Sequence, residues 1–217
     1  MNLFITQKSY YFVIRHFIEL FEFESSQIVY VKEKKRGLFR KYLEILNKLG
    51  LFNFMFSVLI EIVCMIRLFS REKKLNYIHT TDNKLNLLLN DLLIKNNYKN
   101  IISIGCPCKI DIDLQIRYST KILNLHGGII PFQKGRFSPI SSINKNHKYL
   151  GSTLYNISDQ FDEGNIISQN YFYRKNNYIL FNYNKVLVYS SILLKKYMNK
   201  NIDILPNHVI ESLKVDS

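Results

Sequence analysis

Three side chains stand where they could work on an acyl group: Asn124 and His126 in KILNLHGG, and Asp162 in SDQFDEG. Residues 121–125 are apolar-rich and predict a strand. Residues two apart on a strand point the same way, so the Asn124 amide and the His126 imidazole leave its end side by side. The strand then breaks at Gly127-Gly128. Asp162 follows in a second turn, closed by Gly164. An amide can donate to a developing oxyanion, an imidazole can carry a proton, and a carboxylate can orient the imidazole. Taken singly, each is equally an ordinary loop residue.

The elements that must position them come from the rest of the 217 residues. That length suits one domain with a proper core. With 47% hydrophobic and 14% aromatic residues the chain is globular rather than disordered. The formal charge of +13 favours anionic partners. The sequence is, however, crowded with Lys, Asn, Ile, Tyr and Phe, so part of the lysine excess is compositional, and no nucleic-acid partner is expected. Three cysteines, with Cys106 and Cys108 as a lone C-x-C, predict a reducing compartment, no disulfides and no structural metal site. MNLFITQKSYYF lacks the pattern of a signal peptide, which predicts a cytoplasmic protein.

Apolar patterning predicts alternating β and α segments over the first 126 residues. Strands are expected at 2–6, 27–31, 75–79, 101–104 and 121–125. Helices are expected around Tyr11 to Phe21, at 38–49 closed by Gly50, from Leu85 to about Asn97 behind caps at Thr81, Asp82 and Asn83, and at 110–118. Residues 51–69, LFNFMFSVLIEIVCMIRLF, are the most apolar stretch. Glu61 and Arg67 interrupt what a membrane span requires. A buried or interface helix is therefore expected there, a candidate homodimer surface, with an interfacial membrane contact as the alternative and no transmembrane segment. After a helix at 138–144, strands at 152–157 and 166–173 predict a late hairpin. The segment 178–183 is left open, 184–198 predicts a terminal helix, and the tail from Asn199 reads as polar. The sum is an α/β fold: an open, mainly parallel, Rossmann-like sheet with helices on both faces and a late antiparallel strand extension. Residues 1–183 are expected to form the catalytic domain, with 184–217 packed on it. Such sheets bind ligands at the carboxyl ends of their strands. Both the loop after residue 104 and Asn124-Leu125-His126 lie at such ends.

From Asn124 to Gly164 the sequence resembles the 10-formyltetrahydrofolate-dependent formyltransferases. The pattern is N-x-H, a small residue, two aliphatics and Pro, then Gly, a G-x-T-like strand and D-x-G. Here it is carried by Asn124, His126, Gly128-Ile129-Ile130-Pro131, Gly135, Gly151, Thr153, Asp162 and Gly164. The resemblance covers about residues 75 to 175. It implies a folate-dependent N-formyltransferase using 10-formyltetrahydrofolate and no metal. Asn124 would bind the formyl oxygen. His126 would shuttle a proton and hold the same intermediate. Asp162 would orient His126 and accept the amine's proton. Cys106, Cys108, Lys109 and Ile110 would contact the folate through their loop, and Ser158, Asp159 and Asp162 would complete the pterin pocket. Lys134, Arg136 and Tyr155 are substrate-side candidates, the two basic residues for a diphosphate.

Where the sequence departs from the family bears on the amine. Members acting on glycinamide ribonucleotide have a glycine-rich turn after the first strand, and here that turn is TQKSYY. Members acting on methionyl-tRNA carry a further C-terminal barrel, and formyltetrahydrofolate hydrolases an N-terminal regulatory domain. His126-Gly127-Gly128 is similar to the short members that formylate nucleotide-linked amino sugars for surface polysaccharides such as O-antigen. The expected partners are thus a nucleotide-linked amino sugar and folate. Two alternatives stay open: another amine, of the methionyl-tRNA or glycinamide ribonucleotide type, or a non-catalytic basic binding protein.

Overall fold

A computed structural model describes residues 1–7, 15–23, 27–32, 43, 46–72, 75–202 and 204–216. Among them are seven strands: β1 (Asn2–Thr6), β2 (Gln27–Lys32), β3 (Asn76–Thr81), β4 (Asn100–Ile104), β5 (Lys121–His126), β6 (Tyr149–Asn156) and β7 (Ile166–Tyr173). The helices are α1 (Arg15–Phe23), α2 (Leu51–Glu72), α3 (Leu85–Lys95), α4 (Asp113–Tyr118), α5 (Ser138–Asn144), α6 (Ile179–Met198) and α7 (Asn207–Asp216). The strands form a sheet in the order β3-β2-β1-β4-β5-β6-β7. This is the expected α/β arrangement, parallel over most of its strands and ending in an antiparallel pair.

The chain divides into two compact units, Met1–Asn124 and Leu125–Ser217. In the first, β1 pairs in parallel with β2 and with β4, and β2 with β3. Strands enclosed on both faces read as unbroken apolar runs. NIISI of β4 is buried at every position, and Leu3, Phe4, Ile5, Ile28 and Val29 are fully buried beside it. The Phe21 ring of α1 lies 5.0 Å from that of Phe4. Most of the helix expected at 38–49 and the start of the one expected from Tyr11 fall outside the described residues. Its last turn ends as expected, with Gly50 at φ +76° donating its N–H to the Leu46 carbonyl at 2.8 Å.

In the second unit β6 and β7 pair antiparallel, with a register shift between Leu154 and Tyr155. The helix α6 packs over β6, with Val186 in one apolar cluster with Ile143, Leu150 and Phe172.

Several expectations change. The capping residues ahead of α3 form a separate 3-10 turn, Asp82–Lys84, in which Thr81 makes no side-chain cap. The fourth helix starts at Asp113 rather than at residue 110. Tyr178 to Tyr183, left open, belong largely to α6, which begins at Ile179. The tail is not merely polar: Leu205, Val209 and Leu213 are buried around Ile129, which seats α7. Nor is α2 buried: Phe52 is 81% exposed and Ile66 71%.

Candidate active site

The strand β5 ends at His126, and two acceptors hold its ring. Nε2 lies 2.7 Å from the Gln133 carbonyl oxygen, and Nδ1 lies 3.4 Å from Oδ1 of Asp162. Both partners are acceptors, so each contact is a hydrogen bond where the ring nitrogen facing it carries an N–H. The Asp162 backbone sits at φ +57°, a left-handed conformation that Asp tolerates better than most residues. That twist turns the carboxylate inward, to 8% exposure. Its Oδ2 accepts the Gly135 N–H at 2.7 Å, and its Oδ1 accepts the Tyr155 hydroxyl at 3.0 Å. With donors on both oxygens, the carboxylate is held in place beside the His126 ring.

A second layer fixes the turn that carries His126. Thr153 donates its hydroxyl to the Gly128 carbonyl at 2.8 Å and accepts the Ile130 N–H at 3.1 Å. Gln169, opposite Thr153 across the hairpin, donates to the Ile130 carbonyl at 2.8 Å and to the Thr153 hydroxyl at 2.9 Å. Gln133 accepts the Ile129 N–H at 3.1 Å and donates to the Tyr149 carbonyl at 2.7 Å. Ser138 donates to the Gly127 carbonyl at 2.9 Å. The network leaves no room at Gly128: a Cβ there would lie 2.4 Å from the Gln133 carbonyl oxygen and 2.8 Å from the His126 ring. Thr153→Val keeps the shape but strips three hydrogen bonds from buried partners. We expect a loss of about 2–3 kcal/mol in denaturant unfolding, and an unchanged midpoint would show the layer to be unimportant.

The other expected residues fall as follows. Asn124 is half-buried on β5, two residues before His126. Tyr155 is buried and serves Asp162, so its hydroxyl is committed to the carboxylate. Lys134 pairs with Glu163 at 2.8 Å, a half-exposed bridge worth at most about 1 kcal/mol. Arg136 is exposed with its guanidinium 5.6 Å from the Phe137 ring centroid. The Ser158 hydroxyl turns back onto the Gln160 carbonyl at 3.0 Å, in an exposed loop with Asp159.

In the first unit, the loop after β4 is clamped by Asn86, which donates to the Lys109 carbonyl at 3.4 Å and accepts the Asp111 N–H at 3.0 Å. The Ile110 side chain is buried and Lys109 is exposed. The Cys106 and Cys108 sulfurs are 3.7 Å apart. That sulfur contact first, and burial second, push the Cys106 thiol far above its ordinary range. A raised value leaves little thiolate near neutral pH. Iodoacetamide should therefore modify Cys106 more than about tenfold more slowly than an unstructured cysteine, as read by peptide mass mapping. Rapid labelling would contradict the contact.

Sequence reasoning missed Gln133, Gln169, Ser138 and the Tyr155–Asp162 bond. One signal was available: Gln169 falls between Ile167 and Tyr171 on one side of an expected strand, and a buried amide needs partners. Among the described residues no group of three or more His, Cys, Asp or Glu is placed to hold a metal ion.

No protein-family model matches the chain, and no curated protein matches it in sequence. Solved structures do share its fold. A phosphoribosylglycinamide formyltransferase from Anaplasma phagocytophilum superposes with a TM-score of 0.60 at 14% identity, covering 90% of this chain and 83% of its own. Glycinamide ribonucleotide transformylase 1 from Symbiobacterium toebii gives 0.61 at 11% identity, covering 95% and 94%. A 4-N formyltransferase from Francisella tularensis gives 0.56 at 18% identity, covering 95% and 73%. The fold is that of the formyltransferases, common to ribonucleotide and sugar types.

Proposed function

We propose that this protein is an enzyme that transfers a formyl group from 10-formyltetrahydrofolate to the amine of a nucleotide-linked amino sugar. The observation that carries this reading is the His126–Asp162 pair, 3.4 Å apart, beside a turn rigidified from beneath, in a chain with the formyltransferase fold. The donor supplies an activated formyl group. In the transfer, the bond from the formyl carbon to the folate nitrogen breaks, a bond to the amine nitrogen forms, and the amine's proton ends on the folate nitrogen. Negative charge develops on the formyl oxygen meanwhile. Asn124 is the amide donor for that oxygen, and such preorganised donors stabilise developing charge strongly in a dry site. His126, with Nε2 against the Gln133 carbonyl and Nδ1 facing Asp162, is the proton carrier, and it exchanges one of these contacts for the substrate during transfer. Asp162 is a positioning residue for His126, and Tyr155 and Gly135 position Asp162.

The choice of amine rests on the sequence. The turn TQKSYY lacks the glycines of a phosphate cradle, and His126-Gly127-Gly128 follows the sugar-type pattern. Lys134 and Arg136 offer positive charge for a nucleotide diphosphate, and surface polysaccharide synthesis is the process such a product feeds. The test is incubation with 10-formyltetrahydrofolate and a panel of amines: nucleotide-linked 3-amino and 4-amino sugars, glycinamide ribonucleotide and methionyl-tRNA. Tetrahydrofolate release with an amino sugar supports the proposal. Release only with another amine overturns the substrate, and release with none overturns the activity.

A further inference from the structure

The helix α2 is built the wrong way round for water. A helix on a soluble protein turns its apolar side inward and its polar side out. On α2 the stripe Phe52, Met55, Leu59, Ile62 and Ile66, spaced three and four apart, faces outward, at 81%, 63%, 58%, 47% and 71% exposure. The polar residues Asn53, Ser57 and Glu61 lie on the opposite side with buried Cys64. Asn53 and Ser57 spend their side chains on the helix itself, donating to the Leu49 carbonyl at 3.0 Å and the Phe54 carbonyl at 2.7 Å. Isolated exposed apolar residues are ordinary, but a continuous stripe over four turns marks a surface that something else covers.

Charge in the sequence selects the cover. Between residues 49 and 66 the only charged residue is Glu61, on the packed side. Residues 32–48 carry seven Lys or Arg against two Glu, and residues 67–74 carry four against one. In sequence the apolar run is bracketed on both sides by positive charge, which poorly suits a second copy. Paired antiparallel, the basic approach of one helix meets the basic exit of the other; paired parallel, like ends meet. Either arrangement sets like charges together. An anionic lipid surface complements both features, taking the apolar stripe into the acyl boundary and attracting flanking Lys and Arg. Among the described residues no helix is long and apolar enough to cross a membrane, so α2 lies along the surface rather than through it.

We propose that α2 docks this protein on an anionic lipid surface, its Phe52–Ile66 stripe seated at the headgroup boundary. The test is co-sedimentation of the full chain with vesicles of phosphatidylcholine alone and of phosphatidylcholine with one third phosphatidylglycerol. Binding to the anionic vesicles should exceed binding to the neutral ones by about tenfold or more and weaken as salt rises. The triple substitution Phe52→Ser, Leu59→Ser and Ile66→Ser should lower it by at least about tenfold, with an unchanged melting transition. Equal binding to both vesicle types, or none to either, overturns the proposal using the unmodified protein alone. So does a solution dimer that fails to bind vesicles and becomes a monomer on the triple substitution, since a second copy would then cover the stripe.

Discussion

His126→Ala is expected to lower the rate of formyl transfer by about two to four orders of magnitude, the range for removing a positioned proton carrier. Its fold should persist. The deletion removes the donor to the Gln133 carbonyl and one partner of Asp162. Asp162, however, keeps the Gly135 N–H and the Tyr155 hydroxyl, so the carboxylate is not abandoned. Asn124→Ala should cost about two to three orders of magnitude, the range for removing an oxyanion donor. The double variant should fall little below the worse single one, because residues acting on one charge are not additive. Asp162→Asn retains a carbonyl oxygen for one donor while removing the charge that faces the His126 ring. Its loss should fall mainly in kcat rather than KM. Steady-state kinetics on the purified variants, with far-UV circular dichroism as the control for folding, read all four. A fully active His126→Ala enzyme would remove His126 from the chemistry, whatever its geometry.

The largest effect on stability is expected at Gly164. A Cβ there would lie 1.6 Å from the Asn156 carbonyl oxygen and 2.7 Å from the Tyr155 ring. A backbone oxygen cannot swing aside as a side-chain tip can. The neighbouring chain is also pinned, with the Asn156 N–H on the Asn165 carbonyl at 2.9 Å. Gly164→Ala must therefore open the turn that presents Asp162, and we expect a loss of more than about 3 kcal/mol in denaturant unfolding, beyond usual overpacking. Two glycines in the same region supply the scale. At Gly135 the φ of +96° is the only obstacle, with nothing within 4 Å of a Cβ, so alanine there should cost about 1–2 kcal/mol. At Gly127 a Cβ meets Val186 at 3.4 Å and Pro139 at 3.5 Å, ordinary contact, and the cost should stay within about 1 kcal/mol. If Gly164→Ala proved no worse than Gly127→Ala, the close approach would be wrong.

The motif glycines show where sequence reading succeeds and where it stops. Gly151 and Gly164 were recognisable as parts of a pattern; that a Cβ at Gly151 would lie 2.0 Å from the Asn170 carbonyl oxygen is a fact of the hairpin's closeness. Likewise, alternation on β5 predicted Asn124 and His126 on one side of a strand end, and β5 does end at His126. It could not say that Tyr155, a substrate-side candidate, spends its hydroxyl on Asp162. Nor could it find Gln169, which reaches the Ile130 carbonyl across 39 residues of chain. For α2, the sequence showed an apolar run interrupted by Glu61; which side faced out depended on what packed against it.

By itself the sequence determined the alternation of strands and helices, the β5 strand end and the late hairpin of β6 and β7, and it pointed to three side chains whose types suit acyl chemistry. These follow from local regularities, the two-residue period of a strand and the three-to-four-residue period of a helix, which need only neighbouring residues to read. The tertiary structure alone decided that His126 sits between two acceptors, that both Asp162 oxygens are engaged, and that α2 presents its apolar stripe outward. Those depend on hydrogen bonds and packing between residues distant in the chain. No local pattern records such a partner until the fold has brought it near.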